Sequence, residues 1–332
     1  MNKALVTGAT GFIGTQLCER LLSAGYQVRA TVRKTSNQER LIKLGVETVP
    51  CDLASECPTP QQLDGITHVF HLAGLTTSPN LEKLRSVNVT GTANLAKAVA
   101  SLSNPPKIIH VSSIAASGPG KRDQVRSSNE SPKPVSNYGR SKLEGEQAIA
   151  AIADRTSVSI VRPGLVFGPG DHEGLRIAKP IARVGIHMTP GFRTPPLSVI
   201  YVHDLVDILM RTAKQGCKLP SASSADLKGR GIYIAAASEH PTYRKWGQMI
   251  GAALQRKMIA WPIFPNVARV VGLVAQAIGS GTLHYDKIRE ALVPSWAYFD
   301  PQLETDLGFQ PSATVTDQLA DTIAWYRQEK ML

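Results

Sequence analysis

The chain has 332 residues, 42% hydrophobic and 19% charged, with a formal net charge of +11 and a pI near 9.6. That composition excludes a disordered or fibrous chain and leaves room for one large domain or two of ordinary size. The basic residues are dispersed, and the densest clusters, RKTSNQER and GKRDQVR, lack the interleaved aromatics of a nucleic-acid groove, so a small-molecule substrate and an anionic cofactor are expected instead. Cys18, Cys51, Cys57 and Cys217 show no CxxC spacing, which predicts neither a disulfide nor a metal site. The sequence turns strand-like by Lys3 or Ala4, which leaves no space for a secretory leader and predicts a cytoplasmic protein without stable membrane insertion.

The first predicted strand, Ala4 to Thr7, runs into TGATGFIG and a helix from Phe12 to Ala24. Gly8, Gly11 and Gly14 at this spacing allow a tight turn, close approach of backbone to a pyrophosphate and close helix packing. Thr10, Phe12 and Ile13 then lie at the helix N-terminus, whose free amides favour an anion. A second strand, Gln27 to Val32, ends where an acidic residue would hold the ribose hydroxyls of NAD. Arg33 stands there, with Lys34 and Arg40 nearby, so NADP is expected over NAD. Asp52 and Leu53 follow a third strand (Glu47 to Val49), and Leu72, Ala73 and Gly74 of HLAG close a fourth (His68 to His71). These residues are expected beside the adenine and its ribose, with Asp52 as a simple cap the alternative.

A helix over Leu81 to Ala100 carries Asn88 on an otherwise apolar stripe of Leu84, Val87, Gly91 and Leu95, either to hold a water for proton relay or to bond the backbone. A second stripe, Val89, Ala93, Ala96 and Ala100, points to a homodimer. Strand Lys107 to Val111 ends at Ser112 and Ser113, where a hydroxyl can meet developing charge on a substrate oxygen. Ser117 to Asn137, with Gly118, Pro119, Gly120, Pro132 and Pro134, reads as a loop over the sheet edge. In YGRSK, Tyr138 and Lys142 are four apart at the start of a helix reaching Ile152, so both project from one face. An ammonium and an oxidised nicotinamide near a phenol favour its phenolate, a suitable proton partner for hydride transfer.

After strand Val158 to Val161 come RPGLVFGPGDHEG, a helix from Leu175 to Val184, a strand from Ser198 to Val202 and a helix with Asp204 as its cap. Trp246, Trp261, Trp296 and Trp325 all fall late, as core filling or substrate contacts. Pro220 to Ala225 reads as a surface loop and Asn266 to Ser280 as a buried or lid helix. The alternation predicts an α/β fold: a doubly wound parallel Rossmann sheet with a smaller C-terminal substrate-binding domain. The cofactor domain is expected over 1–165 plus about 198–236, and the substrate domain over 166–197 plus about 237–332.

TGATGFIG, Asp52, HLAG, NVTGTANL from Asn88, VSS ending at Ser113, YGRSK and RPGLVFGPG together resemble the extended short-chain dehydrogenase/reductase family. The resemblance implies a catalytic set of Ser113, Tyr138 and Lys142, a structural or relay role for Asn88, and Pro163, Gly164 and Val166 beside the nicotinamide. It also implies dimers formed through the Asn88 and Tyr138 helices. Leu165 stands where nucleotide-sugar epimerases and dehydratases often carry asparagine, and RATVRKTSNQERL is similar to dihydroflavonol reductase-like enzymes, whose basic residues hold the NADP phosphate. The expected activity is hydride transfer between NADP and a carbonyl or secondary alcohol. Its alternatives are a nucleotide-sugar epimerase or dehydratase and a non-catalytic NADP sensor.

Overall fold

The structure, a computed structural model, describes residues 2–220, 227–264, 266–267 and 285–332. Its strands are β1 (Lys3–Thr7), β2 (Gln27–Val32), β3 (Glu47–Pro50), β4 (His68–His71), β5 (Lys107–Val111), β6 (Val158–Pro163), β7 (Leu165–Phe167), β8 (Ile186–Pro190), β9 (Val199–Tyr201), β10 (Ile232–Ala235) and β11 (Ile259–Ile263). Seven of them form one sheet in the order β10-β6-β5-β4-β1-β2-β3, and every pairing is parallel. The winding direction reverses between β1 and β4, and a crevice opens outside the carboxyl ends of strands at such a point. β8 with β11, and β7 with β9, make two further parallel pairs.

Parallel strands are covered on both faces, so alternate residues feed two cores. Val6, Ile109 and Val161 pack on one side against Leu17 and Leu21 of α1 (Phe12–Ser23) and, beyond α2 (Glu39–Lys43), Leu205 and Leu209 of a later helix. Leu5, Val69, Ile108 and Ile160 pack on the other against Leu95 and Val99 and against Ile149. Each fully buried aliphatic side chain contributes about 1.5–3 kcal/mol.

The predicted helix over Leu81 to Ala100 is present as α3 (Leu81–Arg85), a π-helical turn (Ser86–Thr90) and α4 (Gly91–Ala100). On its second stripe Ala96 is taken into the chain's own core, Val89 and Ala100 are half-buried and Ala93 is exposed. The dimer therefore stands as a proposal with a narrower apolar seam. After α5 (Ile114–Ser117), the loop over the sheet edge is organised by the buried Arg126, which donates to the carbonyls of Ser117, Gly118 and Ser131. α6 (Asn137–Ala150) follows, with Ser136 accepting from Gly139 N at its start.

α7 (Leu175–Val184) is as predicted, whereas α8 (Val202–Gln215) corrects the expected cap: Tyr201 precedes it, and Asp204 instead accepts from Ser312 N and Gln318 Nε2. A third core joins Phe167, Trp246 of α9 (Tyr243–Ala253), Leu319, Ile323 and Tyr326. Trp246 is thus core, Trp325 packs on its edge and Trp261 is 61% exposed. Most of the stretches 220–225 and 266–280 lie outside the described residues.

Candidate active site

β1 ends at Thr7 and the chain turns at Gly8 with φ +71°. A Cβ on Gly8 would lie 2.7 Å from the Ala73 nitrogen, and one on Gly14 would lie 2.2 Å from the Gly8 carbonyl oxygen. Contact with backbone leaves nothing that can yield, so both positions require glycine. Beneath the turn, Thr7 Oγ accepts from Ala73 N, and His71 Nδ1 and Nε2 lie 2.7 and 2.9 Å from the hydroxyls of Thr7 and Thr92. Burial pushes the His71 imidazole down to about 3, so it stays neutral and acts as a brace between β1 and β4.

Thr10, Gly11, Arg33, Asp52, Leu53, Leu72, Ala73 and Gly74 line a groove of about 240 Å³ above this turn, at the N-terminus of α1, where Phe12 and Ile13 begin the helix. A cradle closed to any side chain at Gly8, open on its outer side and rimmed by a guanidinium fits a dinucleotide. The two predicted phosphate arginines are separated. Arg33 is exposed at the groove, whereas Arg40 on α2 donates twice to Glu19 Oε1, at 3.1 and 2.6 Å, beside an adjoining cavity.

Ser113 and Tyr138 face a cavity of about 380 Å³ that is otherwise lined mainly by Ile114, Leu165, Ile177, Leu197, Tyr243 and Trp296. Leu165, Ile177, Tyr243 and Lys287 also line a neighbouring cavity of about 640 Å³, which reaches Leu75 and so meets the dinucleotide groove. Gly164 lies on the smaller cavity and Val166 on the larger, while Pro163 ends β6 in the interior.

Lys142 is buried and donates to the Val111 carbonyl at 2.9 Å; a Cβ on Gly74 would lie 3.6 Å from its Nζ. The ammonium therefore bridges the ends of β5 and β4, next to the groove. Asn88 Nδ2 donates to Leu75 O and Ser141 Oγ, and its Oδ1 accepts from Leu75 N. Its amide thereby ties the π turn to the segment after β4 and to α6, the bonding alternative of the sequence reading. Ser112 Oγ is buried without a partner among the described residues.

Burial pushes the Tyr138 phenol up to about 12, against a lowering hydrogen bond from Ser113 and with a small upward push from Glu290. Burial also takes Lys142 down to about 8, with Glu146 pulling the other way. Desolvation of the phenolate thus dominates, and the Lys142 ammonium expected to favour the phenolate is not among the groups that move the phenol. Lys142 further sets a pH dependence. Between about pH 8 and its unfolded value near 10.4 the unfolded chain binds the extra proton, so the Lys142 contribution to stability rises with pH across that window. Denaturation of the protein and of Lys142→Met across that window checks this: the wild type is expected to gain stability relative to the variant.

Sequence reasoning missed the helix Tyr285–Ala291, which closes the start of α6. Asp286 accepts from the amides of Asn137 and Tyr138, and Glu290 accepts from Ser136 Oγ at 2.6 Å. Lys287 pairs with Glu290 at 3.1 Å and lies 5.2 Å from the centre of the Tyr138 ring. It also missed the fully buried pair of Glu146 on α6 and Arg162 on β6, joined at 2.8 and 2.5 Å. No local pattern announces either group, because their partners are set by tertiary contact.

Residues 4–221 match the model of the NAD dependent epimerase/dehydratase family. The chain belongs to this family. It is an NAD(P)-dependent enzyme of the extended short-chain dehydrogenase/reductase type. A relative from Synechocystis sp. with a provisional dihydroflavonol 4-reductase name is 34% identical over 206 residues, 60% of each chain. The ceramide reductase of Caulobacter vibrioides is 29% identical over 336 residues, 97% of this chain and 93% of that one. Among solved structures, MoeE5 in complex with UDP-glucose and NAD aligns over 99% of this chain and 100% of that one, with a TM-score of 0.75 at 24% identity, a likeness of fold. Among the described residues no helix is long and apolar enough to cross a membrane, and no group of three or more His, Cys, Asp or Glu side chains could hold a metal ion.

Proposed function

We propose that this member of the family is an NADP-dependent reductase of a lipophilic ketone. The observation that carries the reading is the cavity itself: Ser113 and Tyr138 present hydroxyls to a space whose remaining walls are mostly apolar, with Lys142 behind them against Gly74. A bound dinucleotide supplies the hydride, and the protein supplies the rest. Ser113 Oγ donates to the carbonyl oxygen as negative charge gathers there, and Tyr138 gives its phenolic proton to that oxygen, completing a secondary alcohol. A phenol held up to about 12 by burial is protonated at neutral pH, the state that reduction needs. Lys142, taken down to about 8, is poised to return the proton and to hold the ribose of the cofactor. Asn88 acts as a positioning residue through Ser141 and Leu75.

A nucleotide sugar brings two phosphates, whereas among the described residues the Tyr138 cavity offers Lys287, already paired with Glu290, and the adjoining cavity adds Arg176, paired with Glu173. That favours the reductase over the epimerase or dehydratase. Ketones of increasing apolar bulk are expected to give rising kcat/KM, whereas faster turnover of a UDP-sugar would overturn the reading. For the cofactor, Arg33 is placed to meet the 2′-phosphate of NADP. Arg33→Ser is expected to weaken NADPH binding roughly ten- to hundredfold, the worth of a charge-assisted hydrogen bond, with NADH affinity unchanged; fluorescence titration of both nucleotides reads it.

A further inference from the structure

The β8–β11 pair has one face turned inward and one without a partner among the described residues. Inward, His187 packs on Gly247 of α9, where a Cβ would come within 2.3 Å of the imidazole. Outward, Ile259 and Trp261 stand two residues apart on β11, and Met188 sits opposite Trp261 in the register, so all three share a face. They are 67%, 61% and 60% exposed. Past the strand ends, Phe192 and Phe264 meet edge to face at 5.8 Å, themselves 66% and 62% exposed. Three large apolar side chains on one strand face, with two exposed aromatics beyond its end, mark a surface that something covers.

Charge identifies what covers it. Residues 174–203 and 240–264, which supply α7, β8, α9 and β11, contain eight lysines and arginines and no aspartate or glutamate. Arg183, Arg256 and Lys257 lie at the base of the pair, where Arg256 donates to the Arg183 carbonyl, and Arg193 and Arg244 share a cavity with Phe192 at the other end. Asp123 also lines that cavity, beside Arg122, so cations outnumber anions around the strip, and aromatic and aliphatic side chains in such a ring complement the headgroup layer of an anionic bilayer. The strip also leads into the site. Pro190, paired with Ile263 in the register, lines the Tyr138 cavity.

We propose that the β8–β11 face docks on an anionic phospholipid surface, from which an apolar substrate passes along Pro190 to Tyr138. Docking stands on the surface alone, and delivery rests on the lipophilic-ketone reading. The binding is peripheral, through side chains on a strand pair, so it needs no spanning helix.

The test is co-sedimentation of the full chain with phosphatidylcholine vesicles with and without phosphatidylglycerol, at rising salt. Binding is expected with phosphatidylglycerol and is expected to weaken steeply without it or at high salt. Trp261→Ser with Phe264→Ser is expected to lower vesicle affinity by at least about tenfold, since binding scales with buried apolar area, while leaving turnover of a short, water-soluble ketone unchanged. Equal sedimentation of the variant, or none by the wild type, would overturn docking. So would self-association of the wild type, abolished in the variant, because a second copy would then be the occupant. Vesicle binding without turnover of any ketone would leave docking intact and count against the reductase reading alone.

Discussion

Tyr138→Phe is expected to lower kcat for ketone reduction by about 10²–10⁴-fold, the usual worth of a positioned proton donor, while NADPH binds as before. The substitution removes one oxygen from a ring packed between Ser113 and Lys287, and Phe keeps the shape of the cavity. The dinucleotide groove is lined mainly from β2 and the segments that follow β1 to β4, so its affinity does not depend on the phenol. Stopped-flow single turnovers and nucleotide titration separate the two effects. Ser113→Ala is expected to cost less, because Tyr138 still protonates the oxygen when the neighbouring donor is gone. Wild-type turnover by Tyr138→Phe would exclude the phenol as the proton source.

The largest effect on stability is expected from Glu146→Ala, a loss of about 3–5 kcal/mol in denaturant unfolding. Glu146 and Arg162 are both 0% exposed. The carboxylate accepts from Nε and Nη2 of the guanidinium, which also donates to Ser117 Oγ and the Leu227 carbonyl. Removing the glutamate leaves a cation in the interior that can neither reach water nor lose its proton. Removing both, as in Glu146→Leu with Arg162→Leu, takes away the charges together, so the double variant is expected to recover much of the loss. Glu146 lies one turn beyond Lys142 on α6, so the single variant is also expected to lower kcat. A double variant no more stable than Glu146→Ala would show that the pair does more than neutralise itself.

How far the site could be read from the sequence follows from how local each interaction is. The glycine turn was legible because Gly8 and Gly14 answer to backbone within a few residues of one another, apart from the β4 end that lies over them. Tyr138 and Lys142 were legible because four residues on a helix share a face wherever the helix goes. Arg40 was less so: Glu19, 21 positions away on α1, holds it, and nothing near Arg40 in the chain announces that. Asp204 looked like a cap by position, but the helix starts earlier, after Tyr201, and the carboxylate accepts from Gln318 and Ser312, more than 100 residues further on. Asp286, Lys287 and Glu290 come to Tyr138 from nearly 150 residues further on, as a short charged helix like many on protein surfaces. The β8–β11 pair went unpredicted because its outward face is apolar and breaks the usual alternation toward solvent.

The balance of cofactor against product tests the central claim most directly. If Tyr138 and Lys142 serve a reductase, each alcohol formed from a lipophilic ketone is matched by one NADPH oxidised, and with Tyr138→Phe both quantities fall together while their ratio stays at one. Conversion of a substrate with the nucleotide returned to its starting state, no net oxidation accompanying the product, would contradict it.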